Sequence, residues 1–389
     1  MTLRKVSGAL ALILCLAFAG GCGRKPPGEG PGPVEPPSRP EPPKKVVGVL
    51  LPLSGTHKDE GEALLAGLKL ALRKKGVPVG LDEGCLEVRD YGDSVTDSLG
   101  LARDLIEVQK VPVMLGPSDP RGVEMVEELA RQRKVAVLTP VAAPMKLSEV
   151  RPVVWRLTCT DEEEGRVMAA FALKKLFRTV AIIVDSRGEA SERRAAAFSR
   201  HFTESGGHVL TQLSYAGGDT SFRRLVRMAA EKRPDLFYLP GGRPEAAAII
   251  EEMKQQKVVG SVVGSSDWDT GTRFPSEVGP GWAVFAPCRF HAGRSSLVTA
   301  AFVTDFQTEA KVAPGAAAAL GYDAGLIILD AFSRARGADG SIVSEIADVK
   351  LLAGATGRLA ARKWGLAADL TVLRLKGQDF VFETDVVVE

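Results

Sequence analysis

The chain has 389 residues, of which 45% are hydrophobic and 25% charged, and its formal net charge is only +2. This composition is typical of a folded globular protein and excludes both disorder throughout the chain and a membrane protein with many spans. The near balance of 50 basic and 48 acidic residues gives no general attraction to nucleic-acid phosphates. At this length, two domains are expected.

The chain begins with the pattern of a secretion signal, residues 1–22. Arg4 and Lys5 precede an apolar stretch, 6–18, that is too short to span a membrane comfortably as a permanent helix. The tripeptide Ala-Gly-Gly then precedes Cys22, which resembles a bacterial lipobox. The resemblance implies that the Cys22 thiol is diacylated and becomes the mature N-terminus. The alternative is an ordinary cleaved signal in which the cysteine is incidental.

Residues 23–45 form a segment with nine prolines and four glycines. Val34 is its only large apolar residue, so the segment cannot form a core, and its prolines favour extended polyproline geometry. At about 3.1 Å per residue it is a stalk that reaches up to roughly 70 Å from a membrane. Gly23 follows the lipobox cysteine where an Asp would resemble an inner-membrane retention signal. We therefore expect the outer membrane if the bacterium has two membranes.

The five cysteines divide according to this signal. Cys15 leaves with it and Cys22 carries lipid, so Cys85, Cys159 and Cys288 remain in the folded region. These three allow at most one internal disulfide, and their spacing matches no zinc pattern. We expect no metal and no cofactor.

Residues 46–389 alternate short β-rich runs with stretches whose apolar residues recur at helical spacing. This alternation predicts parallel sheets covered by helices on both faces, and the length fits two such sheets. The sequence therefore predicts an α/β protein with two lobes. The predicted strands are Val46–Leu51, Val111–Leu115, Val135–Leu138, Val180–Val184 and Leu236–Leu239, and the predicted helices are Ala63–Leu72, Arg121–Arg133, Arg193–Ser205 and Ala246–Gln256.

A series of short motifs runs through this region in a specific order. They are VGVLLPLSG (47–55), EGEALLAGLKLAL (60–72), VRDYGDS (88–94), VPVMLGPSD (111–119), VAVLTPVAA (135–143), YAGGDTSFRRLV (215–226), PDLFYLPGG (234–242), GYDAG (321–325) and GATGRL (354–359). In this order they resemble the type I periplasmic binding proteins of the leucine/isoleucine/valine-binding family. The resemblance extends from Val46 nearly to the C-terminus.

The resemblance implies two doubly wound parallel-sheet lobes, three crossovers and a ligand held in the cleft between the lobes. We place the crossovers near Thr160, Pro287 and Leu352. Lobe one is then 46–160 plus 288–352, and lobe two is 161–287 plus 353–389.

The function implied by the resemblance is capture of a small polar solute, amino-acid-like or other, for an ABC importer. The expected partners are that solute and an importer permease, and the expected state is a monomer. The alternative is a lipoprotein of the same fold that acts as a sensor or regulates an envelope enzyme through protein contacts.

Family ligand positions, and residues beside them, give ten candidate ligand-binding residues. They are Glu60, Ser118, Asp119, Val141, Ala143, Arg243, Ser266, Asp267, Trp268 and Tyr322. In the family, the carboxylate of an amino acid binds at a helix N-terminus beside a serine, a position that falls on Pro120. Asp119 followed by Pro120 is typical of an N-cap and a first helical residue, so we expect Asp119 to occupy the helix donors.

The other positions diverge from the family in different ways. A threonine falls on Ala143, with backbone contacts kept at Val141, and the residue that holds the α-ammonium falls on Ser266. An aromatic residue falls on Glu60, and a tyrosine falls close to Arg243.

Three carboxylates and two rings are thereby placed around the predicted cleft. The carboxylates of Glu60, Asp119 and Asp267, beside stacking rings from Trp268 and Tyr322, predict a cationic or polyhydroxylated ligand better than a branched-chain zwitterion.

The sequence contains none of the catalytic motifs GxSxG, GxxxxGK[ST] and HExxH, and its four histidines are scattered. The acidic run Asp161–Glu164 is interpreted as the first turn of a helix, where carboxylates are favourable. We therefore expect a binding protein without catalytic activity.

Overall fold

The computed structural model describes residues 46–73, 83–142, 145, 147, 152–219, 221–258, 260–268, 271–335, 341–362, 365–367 and 369–388. The signal, Cys22 and the proline-rich segment lie outside the described residues. Strands and helices alternate along the described part of the chain. In chain order they are β1 (Val47–Leu51), α1 (Lys58–Leu72), β2 (Leu86–Asp90), α2 (Ser98–Arg103), β3 (Val113–Leu115), α3 (Pro120–Arg133), β4 (Ala136–Thr139), β5 (Val154–Arg156), α4 (Asp161–Lys174), β6 (Thr179–Asp185), α5 (Glu189–Glu204), β7 (His208–Tyr215), α6 (Arg223–Ala230), β8 (Leu236–Tyr238), α7 (Arg243–Gln255), β9 (Ser261–Val263), β10 (Ala283–Cys288), α8 (Leu297–Ala310), α9 (Ala316–Arg334), α10 (Ile342–Ala347), β11 (Leu352–Ala353), β12 (Arg358–Leu359), β13 (Asp369–Lys376) and β14 (Asp379–Val387).

Every predicted strand and helix is present, and the helices begin earlier than the apolar pattern indicated. The helix predicted from Ala63 starts at Lys58, and the one predicted from Arg193 starts at Glu189. First helical turns are polar, because their free N–H groups favour acidic side chains and water. Apolar periodicity therefore marks the buried middle of a helix and misses its start.

Sheet A is the centre of lobe one, and all of its strands are parallel, in the order β2-β1-β3-β4-β5. Helices α1, α9 and α10 cover one face of this sheet, and α2 and α3 cover the other. The doubly wound prediction is therefore confirmed for this lobe. Because parallel strands end at the same edge, the loops that follow β1 to β5 meet there.

Sheet B is the centre of lobe two and has the order β14-β13-β10-β9-β8-β6-β7. Its strands from β6 to β10 are parallel, and helices cover both faces, α6 and α7 on one and α4 and α5 on the other. The last two strands form an antiparallel hairpin, β13–β14, that pairs with β10. The pattern of apolar runs did not reveal this hairpin, since β14 is only partly buried along its length.

Core membership changes three times along the chain, which locates the crossovers. Leu157 packs in lobe one and Cys159 in lobe two, close to the predicted Thr160. The second change falls between the end of β10 and Phe290, close to the predicted Pro287. The third lies between Leu366 and Ala367, later than the predicted Leu352. The short β11–β12 hairpin causes this difference, because it extends the core of lobe one.

Among the described helices, α9 is the one that is both long enough and apolar enough to cross a membrane. Most of it is buried inside lobe one, where it packs directly against α1. A Cβ on Gly321 would lie 1.9 Å from the carbonyl oxygen of Leu64, and one on Gly67 would lie 1.9 Å from that of Ala318. Glycine at these two positions therefore lets the helices approach backbone to backbone.

Candidate functional site

Tyr91 lies among the loops at the carboxyl edge of sheet A. Its hydroxyl lies 2.9 Å from Ser118 Oγ, and the residue is 6% exposed. Burial raises the pKa of Tyr91, and the carboxylates of Asp119 and Glu60 raise it further. The structure thus brings three sequence-predicted residues, Glu60, Ser118 and Asp119, around a tyrosine that sequence reasoning did not select. The available signal was its place directly after β2.

The loop after β1 is held by carboxylates of the loop after β2. Asp90 Oδ1 accepts hydrogen bonds from the backbone N–H groups of Leu53 (2.7 Å) and Gly92 (2.8 Å). Asp93 Oδ1 accepts one from Thr56 N–H at 2.7 Å. These two carboxylates therefore already have donors, and they shape the loop rather than attract a cation.

The N-terminus of α3 has no N–H group left for a ligand. Asp119 Oδ1 accepts from the backbone N–H of Arg121 (2.9 Å) and of Gly122 (3.2 Å), as the N-cap prediction required. Val123 N–H donates to the carbonyl oxygen of Asp119 at 3.0 Å, and Pro120 has no N–H. A ligand carboxylate therefore cannot bind here in the way that the family resemblance implies.

Val141 lies buried at the start of the loop after β4. Its N–H is 3.3 Å from Thr139 Oγ1, which itself donates to the carbonyl oxygen of Pro117 at 2.7 Å. The backbone contact predicted for Val141 thus already has an internal acceptor. Ala143 lies outside the described residues.

Arg194 binds three carboxylates at the carboxyl edge of sheet B in lobe two. Its side chain is 3% exposed and forms ion pairs with Asp161 (2.9 Å), Glu164 (3.1 Å) and Asp267 (2.6 Å). Ser266 donates from its backbone N–H and its hydroxyl to Glu164, at 3.1 and 2.6 Å. Ser266 and Asp267 are therefore brought together, but Arg194 and Glu164 occupy the groups that were predicted to hold an ammonium.

The acidic run that opens α4 combines a helix cap with this ion cluster. Thr160 and Glu163 form a reciprocal capping box, as expected for carboxylates in a first turn. Asp161 also pairs with Arg193 at 2.9 Å. Within the described residues, no group of three His, Cys, Asp or Glu side chains could hold a metal ion.

Arg243 begins α7 and is directed toward the segment that follows β9. Its guanidinium donates to the carbonyl oxygens of Thr272 (3.1 Å) and Arg273, and it lies over the ring of Phe274 with 5.8 Å to the centroid. The charge of Arg243 thus fixes a loop within lobe two.

The two predicted stacking rings are not available in this structure. Trp268 is 0% exposed, packs against Phe274 and donates from Nε1 to the carbonyl oxygen of Gly241 at 3.1 Å. Tyr322 is 1% exposed and packs against Phe302, with 4.9 Å between ring centroids. The prediction of aromatic walls is corrected here: both rings belong to lobe cores, because they lie on buried faces of the elements that carry them.

A cavity of about 580 Å³ lies at the boundary between the lobes. Lobe two contributes residues 271–273 and 379–380, the second crossover contributes 290–292, and the start of α9 contributes 313–316. This volume is in the range of small-molecule sites. None of the nine candidate residues that the structure describes lines it, because its walls come from four segments that carry no shared sequence motif.

Solved structures of other proteins share this architecture. The TM-score is 0.76 with a protein assigned to branched-chain amino acid transport in Rhodospirillum rubrum, at 23% identity over 87% of this chain and 99% of that one. It is 0.63 with the leucine-binding protein LivK of Thermotoga maritima, at 24% identity over 88% and 98%. It is 0.66 with a Rhodopseudomonas palustris solute-binding protein in complex with 3,4-dihydroxybenzoic acid, at 19% identity over 88% and 97%. At these identities the likeness concerns the fold.

One curated sequence, Glutamate receptor 2.9 of Arabidopsis thaliana, is 28% identical over 144 residues. This match spans 36% of the chain and only 15% of the receptor's length, so it concerns a small part of that protein.

Two doubly wound lobes, three crossovers and a solute-sized cavity at their boundary define a bilobal binding protein of the type I periplasmic fold. The chain belongs to the periplasmic binding protein family, whose sequence profile matches residues 46–375. The resemblance read from the motif order is thereby confirmed. Members of this family bind solutes and are not enzymes.

Proposed function

We propose that the protein is an extracytoplasmic solute-binding lipoprotein that captures a small polar molecule between its lobes for an ABC importer. The observation that carries the proposal is the cavity of about 580 Å³ whose walls come from both lobes and from a crossover. Solved proteins of the same fold include a leucine-binding protein and a solute-binding protein in complex with 3,4-dihydroxybenzoic acid. A permease is the expected partner, and the binding protein acts as a monomer.

The test of capture is a thermal-shift screen of the purified full chain with amino acids, polyamines, sugars, amides and aromatic acids. A ligand at a hundred times its Kd should raise the free energy of unfolding by about 2.7 kcal/mol. Ala316→Trp should abolish the shift, because an indole at the start of α9 fills the cavity and holds the lobes apart. Ala300→Trp, on the exposed side of α8, is the matched control and should retain it. A folded protein that responds to no compound would overturn solute capture.

The proposed anchor is a lipid on Cys22, with residues 23–45 as a stalk. Its support is the lipobox-like sequence and the nine prolines that follow it. Cys22→Ser should move the protein from the membrane fraction to the soluble fraction, whereas Cys85→Ser should not. Recovery of both variants in the membrane would contradict the anchor, and fractionation of the two membranes would test the outer-membrane address.

A second candidate function is regulation of an envelope enzyme through protein contacts. The observation that favours it is that the groups expected to hold an amino acid, at Asp119, Ser266 and Asp267, bind their own chain. A chemical cross-link from the exposed loops of the lobes to a cell-wall enzyme, together with a flat thermal-shift screen, would favour this function over transport.

A further inference from the structure

Four charged side chains from the two lobes meet between the second and third crossovers. Arg294 follows the second crossover and Arg358 lies in the β11–β12 hairpin, so both arginines belong to lobe one. Asp369 begins β13 and Asp385 lies in β14, so both carboxylates belong to sheet B in lobe two. Every contact between a cation and an anion of this group therefore joins one lobe to the other.

The carboxylate of Asp385 receives two hydrogen bonds from Arg294. Nε of Arg294 donates to Oδ1 at 3.0 Å, and Nη2 donates to Oδ2 at 2.7 Å. The Thr371 hydroxyl also donates to Oδ1, at 2.8 Å, which holds the carboxylate in place on sheet B. Two parallel N–H···O bonds fix the orientation of the guanidinium relative to the carboxylate as well as their separation.

Arg358 holds Asp369 in the same way. Nε of Arg358 lies 2.9 Å from Oδ2 and Nη2 lies 2.6 Å from Oδ1, and the backbone N–H of Arg358 donates to Oδ2 at 3.0 Å. Nη2 of Arg294 lies 3.6 Å from the same Oδ2, so the two pairs form one network. The side chains of Arg294 and Asp369 are 8% and 2% exposed, and salt therefore screens their interaction only weakly.

The lobe-one side of this network is fixed to helix α9. Asp323, on α9, accepts hydrogen bonds from the N–H groups of Ala355 and Thr356, in the turn between β11 and β12. Gly357 completes this turn with a φ of +147°, and a Cβ there would lie 3.2 Å from Cβ of Asp369. The hairpin therefore packs directly on the network, and a shift of the hairpin would have to break its contacts with α9.

The second crossover contacts β14 at another point as well. Gly293 N–H donates to Nδ1 of His291 at 3.1 Å, so the other ring nitrogen carries the proton. That nitrogen, Nε2, lies 3.2 Å from the carbonyl oxygen of Phe380 and donates to it. The crossover segment thus contacts the start of β14 through His291 and a later part of the strand through Arg294.

We propose that Arg294, Arg358, Asp369 and Asp385 form an ion-pair joint that holds the two lobes at one angle without help from a ligand. Crossover segments alone allow lobes to rotate, because a few residues can absorb the changes in φ and ψ. Rotation at this joint would separate paired charges, two of which are buried, and an unpaired buried charge is unfavourable. The joint therefore opposes rotation. The inference goes beyond solute capture and does not depend on what the cavity binds.

The test is the distribution of distances between two spin labels, one on each lobe, measured by pulsed electron paramagnetic resonance. The labels are attached at Gln132→Cys on α3 and Arg227→Cys on α6, both exposed positions. The protein is the full chain with Cys15, Cys22 and Cys85 changed to serine. With the joint intact and no ligand added, we expect one narrow distribution.

Asp385→Asn should roughly double the width of this distribution, because Arg294 loses its charged partner across the joint. Arg358→Gln breaks the other pair from a half-exposed position and should also broaden the distribution. The matched control is Glu383→Gln, which lies on the same strand as Asp385 and removes an ion pair with Lys175 that is contained within lobe two. It should leave the width unchanged.

Three results would overturn the inference. One is a broad distribution before any residue of the joint is changed. Another is an unchanged width in both Asp385→Asn and Arg358→Gln, even with a lower melting temperature, since the pairs would then stabilise the fold without fixing the lobes. The third is equal broadening by Glu383→Gln, because any ion pair on β14 would then have the same effect. No ligand is added, so none of these results bears on solute capture.

Discussion

Arg194 is a buried cation that pairs with three carboxylates in the loop region of lobe two. It connects α5, on which it lies, to the first turn of α4 and to the segment after β9. Burial raises the pKa of Glu164, against the attraction of Arg194 and the hydrogen bonds from Ser266. Arg194 and Ser266 therefore favour the ionised form of Glu164 against the effect of its burial.

Replacing Arg194 with leucine should therefore destabilise the protein by about 3–5 kcal/mol, because it leaves buried carboxylates without a counter-charge. The loss should be smaller near pH 4, since protonated carboxyl groups need no partner. Urea unfolding at pH 4 and pH 7 measures both effects. Arg200→Leu, on the exposed side of the same helix, should change the free energy of unfolding by less than about 0.5 kcal/mol. Equal losses in the two variants would contradict the role assigned to the cluster.

Asp323 gives the protein a pH-dependent component of stability. The carboxylate is fully buried and accepts from the N–H groups of Ala355 (2.5 Å) and Thr356 (3.0 Å) and from the Thr356 hydroxyl (2.6 Å). Burial raises its pKa from 3.8 to about 6, even though these hydrogen bonds oppose the shift. The folded state consequently holds the proton more tightly than the unfolded state.

The contribution of Asp323 to stability should be complete below about pH 4 and be lost as the pH rises through about 6. Asp323→Asn cannot titrate and should remove this fall from the curve of unfolding free energy against pH, while lowering stability overall because hydrogen bonds are lost. Asp330→Asn, on the same helix and partly exposed, should keep the fall. Identical pH profiles for the wild type and Asp323→Asn would contradict the shifted pKa.

At the scale of elements, the contact of α1 with α9 decides how lobe one packs. The two helices are more than 200 residues apart in the chain, and they touch through glycines whose missing Cβ atoms make room for a carbonyl oxygen. Helix α2 provides a contrast, because a Cβ on Gly100 would meet nothing within 4 Å.

The substitution of alanine at these glycines should have opposite effects at the two sites. Gly321→Ala should lower the free energy of unfolding by about 1–3 kcal/mol, because the new methyl group pushes α9 away from Leu64. Gly100→Ala should raise it by up to about 1 kcal/mol, since only helix propensity changes. Chemical unfolding of the two variants against the wild type measures this. A neutral Gly321→Ala would mean that the helices are not in backbone contact.

Sequence patterns predicted the elements better than they predicted the candidate site. Apolar periodicity located the strands and helices, and Asp119 before Pro120 correctly indicated an N-cap, because these signals are local. The burial of Trp268 could not be predicted from the sequence, because only the packed lobe shows that its ring faces the core. The pairing of Arg194 with Asp267 joins residues 73 positions apart, and no local pattern encodes such a contact.

At the scale of the whole molecule, the reactivity of the cysteines can show whether the junctions between the lobes are closed. Cys85, Cys159 and Cys288 form no disulfide among the described residues. Cys159 lies at the first crossover, where burial raises its pKa to about 12, and Cys288 ends β10 just before the second. Cys85, outside both junctions, is only partly buried.

Thiol labelling of the folded protein should therefore modify Cys85 first. Cys159 and Cys288 should react only when the lobes unfold, because both thiols are buried in the folded protein and a reagent cannot reach them. Mass spectrometry after brief alkylation, with and without urea, identifies the labelled sites, and Cys85→Ser should leave the folded region almost unlabelled. Rapid labelling of Cys159 in the native protein would show that the crossover opens.

Neither lobe is made from a continuous length of chain. Lobe one lacks α9 until the last quarter of the sequence has been added, and sheet B lacks its edge hairpin until β13 and β14 arrive at the very end. A chain that passes through an export channel from its N-terminus onward therefore emerges for most of its length without the partners that it needs to fold. Such a topology leaves the cores of both lobes incomplete until these last elements are available.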